Sequence, residues 1–109
     1  MALGSPLYMC PEIVRKTTYD TRCDVWAIGV TAYILISGCP PFYGEGREDL
    51  NDAIMNDKIE FDEEYFGEYS ADAIEFINAA CQKKQADRPF VKDLLKYKWI
   101  TDIKNIKLS

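Results

Sequence analysis

The sequence predicts an all-α fold. Three observations carry that expectation. Apolar residues recur at helical spacing in several segments. No segment alternates polar and apolar residues convincingly, as a half-buried strand would. Clusters of glycine, proline and charge separate the periodic stretches. A length of 109 residues leaves room for one small domain.

About five helices of unequal length are expected. Pro11 suits the first turn of a helix and Glu12 places an acid there, so a short helix is expected through Ile13 and Val14. Thr17 to Asp20 is polar and reads as a loop. A central helix is expected over 21–38. Asp20, Thr21 or Asp24 can cap its start, and Gly38 with Pro40 and Pro41 stops it. Between Val25 and Ile36 only Thr31 is clearly polar, so this helix is expected to be buried on all sides. The run is too short to cross a bilayer, which takes about 20 apolar residues.

Leu50, Ala53 and Ile54 fall at i, i+3 and i+4, which predicts an amphipathic helix over 46–56 with an acidic outer face. Ile59 to Tyr69 is aromatic and acidic without clean period and is expected to be an irregular, partly packed loop. Ser70 is a good N-cap for a helix over 70–82, whose apolar stripe is Ile74, Ile77, Ala80 and Cys81. Val91, Leu94 and Leu95 mark a last short helix over 90–96. Trp99 and Ile100 are expected to pin it to the core, with residues 101–109 as a polar tail.

Composition excludes several functions. The net charge is −5, whereas a nucleic-acid partner calls for a basic surface. There is no histidine, which removes Ser-His-Asp and Cys-His nucleophile systems and every histidine-containing zinc site. Cys10, Cys23, Cys39 and Cys81 form no CxxC pair. They are expected to be four buried or half-buried thiols in a reducing, cytoplasmic compartment. The first residues carry no signal-peptide pattern. Asp57 to Glu68 has the span of a calcium loop but carries Ile59, Phe61 and Asp62 where ligands and glycine belong. No metal site is expected.

Charge is uneven along the chain. Residues 45–72 hold eleven acids against Arg47 and Lys58, whereas residues 83–109 hold eight bases against three acids. Both stretches read either as solvated faces or, for the acidic one, as a surface that meets a basic peptide.

One set of motifs is specific. Gly4-Ser5-Pro6-Leu7-Tyr8-Met9-Cys10-Pro11-Glu12 resembles the end of a protein-kinase activation segment, with Cys10 where alanine is usual. Asp24-Val25-Trp26-Ala27-Ile28-Gly29 resembles the kinase D-x-W-[SA]-x-G helix. Gly38 to Phe42 resembles the loop that follows it, and Ala86-Asp87-Arg88-Pro89 the late segment that supplies a buried arginine. Lys98-Trp99-Ile100 resembles the closing element, with Tyr97 where histidine is frequent. The motifs occur in family order and span almost the whole chain. The chain is therefore identified as resembling the C-terminal part of the lower lobe of eukaryotic serine/threonine protein kinases. Tyr33 to Phe42 is most similar to the calcium/calmodulin-dependent and calcium-dependent group.

The resemblance implies roles. Glu12 and Arg88 would form a buried ion pair tying the activation segment to the lobe; otherwise they are two surface charges. Asp24 would accept backbone N–H bonds from the catalytic loop, besides or instead of capping its helix. Trp26 would pack beneath the Pro11-Glu12 turn, or serve only as a core aromatic. Gly29 would let helices approach closely. Ser5 would contact the catalytic aspartate and the loop lysine. Ala2, Pro6 and Met9 would line the pocket for the substrate residue after the phosphorylated one, unless they form an ordinary loop. Glu45 lies where some relatives place an acid against a basic substrate residue.

In the parent, the chemistry implied is phosphoryl transfer from Mg-ATP to a serine or threonine hydroxyl. The glycine-rich loop, the strand lysine, the catalytic-loop aspartate and asparagine and the DFG aspartate are not in this sequence. An N-lobe and catalytic loop are thus expected to be absent, and the chain alone is expected to bind no cofactor and to be inactive. A non-catalytic, pseudokinase-like interaction module is the alternative. Expected partners are a protein or peptide substrate, and either the rest of a kinase or a second copy covering the central helix. Neither nucleic acid nor membrane is expected.

Overall fold

A computed structural model describes residues 6–67 and 71–104. The described residues form seven α-helices and no strand: α1 (Pro11–Val14), α2 (Arg22–Ser37), α3 (Arg47–Asn56), α4 (Glu63–Phe66), α5 (Ala71–Ala80), α6 (Val91–Leu94) and α7 (Lys98–Lys104). Short 3-10 turns occupy Pro6–Tyr8 and Gln85–Asp87. The all-α architecture is as the sequence predicts.

α2 is the hub. It packs against α5 above all, and also meets the Pro6–Tyr8 turn, α4 and α6. Gly29 makes the α5 contact possible. A Cβ there would stand 2.6 Å from Cys81 Sγ and 2.7 Å from Ala80 Cβ. The start of α2 is held by Asp20, whose Oδ1 accepts the Arg22 backbone N–H at 2.8 Å. The Arg22 guanidinium closes on the same carboxylate at 2.7 Å. Through those bonds it holds the Asp20 carboxyl below its ordinary pKa. The helix ends at Gly38, whose φ of 79° needs a residue without Cβ.

Val25, Trp26, Val30, Ile54, Ile77 and Leu94 are fully buried together. Three departures from the sequence expectation follow from tertiary packing. First, α2 is not buried all round. Asp24, Ile28, Thr31 and Leu35 recur at i, i+4, i+7 and i+11 and are exposed, Leu35 at 80% and Ile28 at 39%. Second, the expected loop 59–69 contains α4. Asp62 caps it, accepting the Glu64 N–H at 2.9 Å. Phe66 packs 5.0 Å from the Tyr33 ring and 5.1 Å from Phe61, and the Tyr33 hydroxyl donates to Glu60 O at 2.5 Å. Third, α7 runs through Thr101 and Asp102 into the expected polar tail. Lys98 bonds Asp102 at 2.7 Å and Asp72 of α5 at 3.2 Å, and Trp99 packs 5.0 Å from Phe76.

The expectation of four free thiols is also corrected. Cys10 and Cys23 are joined by a disulfide, with Cα atoms 5.6 Å apart. Cys10 follows the Pro6–Tyr8 turn, which packs on α2, and Cys23 lies in the first turn of α2, so that packing brings the sulfurs together. Cys39 is free and exposed. Cys81 is free and buried, and burial pushes its thiol up to about 12.

Candidate functional site

The segment from Pro6 to Glu12 lies over the start of α2 and is tied down at three points. The strongest tie is Glu12 to Arg88. The two Glu12 oxygens accept from Arg88 at 2.7 Å and 3.0 Å. Both residues are buried. Arg88 also donates twice to Gln82 O, at 2.9 Å and 3.1 Å, and once to Arg22 O at 3.0 Å. All five guanidinium donors are therefore used. The planar fork fits a carboxylate bidentately, which an ammonium cannot do.

The second tie is the Cys10–Cys23 disulfide beside that pair. The third is Arg47, at the start of α3, whose guanidinium meets Met9 Sδ at 3.0 Å. Pro6 and Met9 are half-buried in this anchored segment. The Glu12 carbonyl accepts from the backbone N–H and the hydroxyl of Thr17, which turns the chain after α1.

Trp26 is fully buried next to the pair. The Arg88 guanidinium lies 5.2 Å from its ring centre, and Phe42 stacks on it at 5.6 Å. Its indole N–H finds no acceptor among the described residues. Asp24 is exposed, and its carboxylate has no partner among the described residues. It stands on the wall of an apolar groove of about 610 Å³ that Ile28, Leu35 and Trp99 also line. Glu45 is exposed in the loop before α3. The α3 contact to the Pro6–Glu12 segment that the structure shows comes from Arg47. Ala2 and Ser5 lie outside the described residues.

Cys10, Glu12 and Cys23 place possible ligand atoms within 4.8 Å of one another. The two sulfurs are bonded to each other and both Glu12 oxygens are engaged by Arg88, so the donor set does not fit a cation.

Sequence reasoning missed Lys83. In the run Lys83-Lys84 it looks solvated, yet its amine is half-buried. It donates to Ile54 O at 2.6 Å and Ala53 O at 3.5 Å, satisfying carbonyls in the last turn of α3. It also sits 4.0 Å from the Phe42 ring centre. Burial lowers its pKa to about 8. Arg47 was missed too, because an arginine opening an acidic helix reads as a solvated charge.

The protein kinase domain profile matches residues 1–100. The chain belongs to the protein kinase family. It is 38% identical over 99 residues to myosin light chain kinase A of Dictyostelium discoideum, covering 91% of this chain and 34% of that protein. To calcium-dependent protein kinase 5 of Plasmodium berghei it is 36% identical over 103 residues, covering 94% of this chain and 18% of the relative. To calcium/calmodulin-dependent protein kinase type 1 of Macrobrachium nipponense it is 39% identical over 100 residues, covering 92% and 29%. Among solved structures, the autoinhibited serine kinase domain of the giant muscle protein titin superposes with a TM-score of 0.85 at 30% identity. That match covers 95% of this chain and 33% of the titin kinase chain. The chain thus spans about a third or less of these kinases, and its kinase fold is that of their helical lower lobe.

Proposed function

We propose that this chain is the substrate-docking and structural part of a serine/threonine protein kinase. The observation that carries the reading is the buried, fully bonded Glu12–Arg88 pair, which fixes the segment bearing Pro6 and Met9 onto α2. A docking loop must hold one shape before substrate arrives, because ordering it on binding would cost affinity. In the parent, Ala2, Pro6 and Met9 receive the residue after the target hydroxyl, Ser5 bonds the catalytic aspartate, and Glu45 faces a basic substrate residue. The open carboxylate of Asp24 accepts backbone N–H bonds from the catalytic loop. The preceding kinase polypeptide covers the α2 groove. The match to one third of the titin kinase chain supports that occupant.

The groups that hold Mg-ATP in this family do not stand in this sequence, so no step of phosphoryl transfer is assigned to these residues. The isolated chain is inactive on this reading. Its place of action is the cytoplasm, with protein substrates and neither nucleic acid nor membrane as partners. The Cys10–Cys23 bond would there be the oxidised form of a pair that a reducing compartment keeps as thiols.

The test is a graft. Residues 1–100 replace the matching third of an active calcium/calmodulin-dependent kinase domain, and phosphate incorporation into a serine peptide is measured. The expected result is an active chimera, with no incorporation by the isolated chain. A folded but inactive chimera that still binds the peptide would favour a non-catalytic interaction module, and turnover by the isolated chain would refute the assignment of its inactivity.

A further inference from the structure

Away from the Pro6–Glu12 segment and the α2 groove, a cavity of about 490 Å³ opens between the loop 39–43 and residues 57–65. Its wall holds three tyrosines, Tyr33, Tyr43 and Tyr65, and three carboxylates, Asp57, Glu60 and Asp62. Tyr43 is 76% exposed and Tyr65 40% exposed, and neither ring pairs with another aromatic ring among the described residues. No ion pair reaches any of the three carboxylates among the described residues. Lys58, also on the wall, is exposed and pairs with none of them.

Two exposed aromatic rings beside three carboxylates that no cation among the described residues pairs, one of them the Asp62 cap of α4, are matched to a cation with a flat or apolar stem. Burial first, then Cys39, Asp62 and Glu60, raises Tyr33 above its ordinary pKa, and Glu64 and Cys39 chiefly raise Tyr65. A metal ion fits poorly, because the three carboxylates do not bring oxygens to within 4.8 Å of one another among the described residues. A guanidinium fits better. It stacks on a phenol ring while its edge meets carboxylates, and it is less strongly hydrated than an ammonium. The fold already seats cations on rings nearby, as Lys83 does on Phe42.

We propose that the cup formed by Tyr33, Tyr43, Tyr65, Asp57, Glu60 and Asp62 binds an arginine side chain of a basic segment in a protein partner. The site does not depend on the kinase reading, since it is read by binding alone and shares no residue with the Pro6–Glu12 segment.

The test uses the 109-residue chain and a fluorescein-labelled Gly-Arg-Gly-Arg-Gly peptide, with citrulline replacing arginine in the control. Fluorescence anisotropy reads the affinity. The arginine peptide is expected to bind about tenfold more tightly than the citrulline peptide, since only the former offers a charged fork to the rings and carboxylates. Tyr43→Ala should weaken binding about fivefold while Tyr43→Phe stays within about twofold, because the ring face and not the hydroxyl holds the cation. Glu60→Gln should cost about fivefold, and Glu48→Gln on the outer face of α3, with the same change in charge, less than about twofold, because the long-range field is screened. Circular dichroism checks that the variants stay folded. Equal losses from Glu60→Gln and Glu48→Gln would show only a diffuse acidic surface and overturn the proposal. So would equal binding of the two peptides, or a folded Tyr43→Ala chain with full affinity.

Discussion

Arg88→Met should remove a large part of the stability of this domain. The guanidinium makes five hydrogen bonds, two to Glu12, two to Gln82 O and one to Arg22 O. Its side chain is fully buried, and that of Glu12 is 7% exposed. Methionine fills most of the volume but leaves the Glu12 carboxylate buried without a counter-charge. Breaking a buried pair in this way costs about 3–5 kcal/mol. A domain of this size has about 5–15 kcal/mol in all. Glu12→Gln should cost less, about 1.5–3 kcal/mol, because the arginine keeps its three carbonyl bonds and loses only charge assistance. Combining the two changes removes the orphaned carboxylate, so the double variant should be more stable than the sum of the single losses implies, by at least about 1 kcal/mol. It should still fall below the parent, since Gln82 O and Arg22 O lose their donor. Urea unfolding, followed by circular dichroism and by the fluorescence of Trp26 under the guanidinium, measures all four chains. A loss below about 1 kcal/mol for Arg88→Met, or strict additivity, would refute the argument that the pair anchors the segment.

Three further outcomes are expected. Reducing the Cys10–Cys23 bond, whose cysteines are 13 residues apart, should lower stability by up to about 3 kcal/mol through the freed unfolded chain; dithiothreitol should shift the urea midpoint of the parent and leave Cys23→Ala unmoved. Lys83 has a folded pKa of about 8 against 10.5 for an exposed lysine. The unfolded chain therefore binds more protons between those values, so stability should rise from about pH 8 to about pH 10.5 and level off above, with the burial cost present in full below pH 8. Lys83→Met should flatten that rise in urea midpoints measured across the window. Finally, Leu35 and Ile28 expose apolar surface on α2, so the isolated chain should self-associate, and Leu35→Glu should shift its light-scattering mass toward one chain.

Local order was legible from short-range pattern. Pro11 and Gly38 marked helix ends because a fixed φ and a missing Cβ act at the residue itself. The apolar spacing in 71–80 put Ile77 and Ala80 on the inward face of α5, since side-chain direction follows helix period, but Ala73 and Phe76 rather than Ile74 complete that face. Family motifs named Glu12, Arg88, Trp26 and Gly29, and the structure places all four in one buried region around α2. What the pattern did not hold was the choice of partners across the chain. Nothing near Cys10 distinguishes Cys23 from Cys39 or Cys81 as its mate, and a lysine pair says nothing of whether Lys83 turns onto Phe42 or into water. The helix in 63–66 forms because Phe66 finds Tyr33 and Phe61, a contact no local period encodes. The same distinction separates the two sides of α2, whose sequence is apolar nearly all round. Composition determined that it must be a core helix. Only the packing of α5, α4 and α6 decided which face they cover and left Asp24, Ile28, Thr31 and Leu35 uncovered, because burial is settled by the neighbours a helix meets, and those lie far away in sequence.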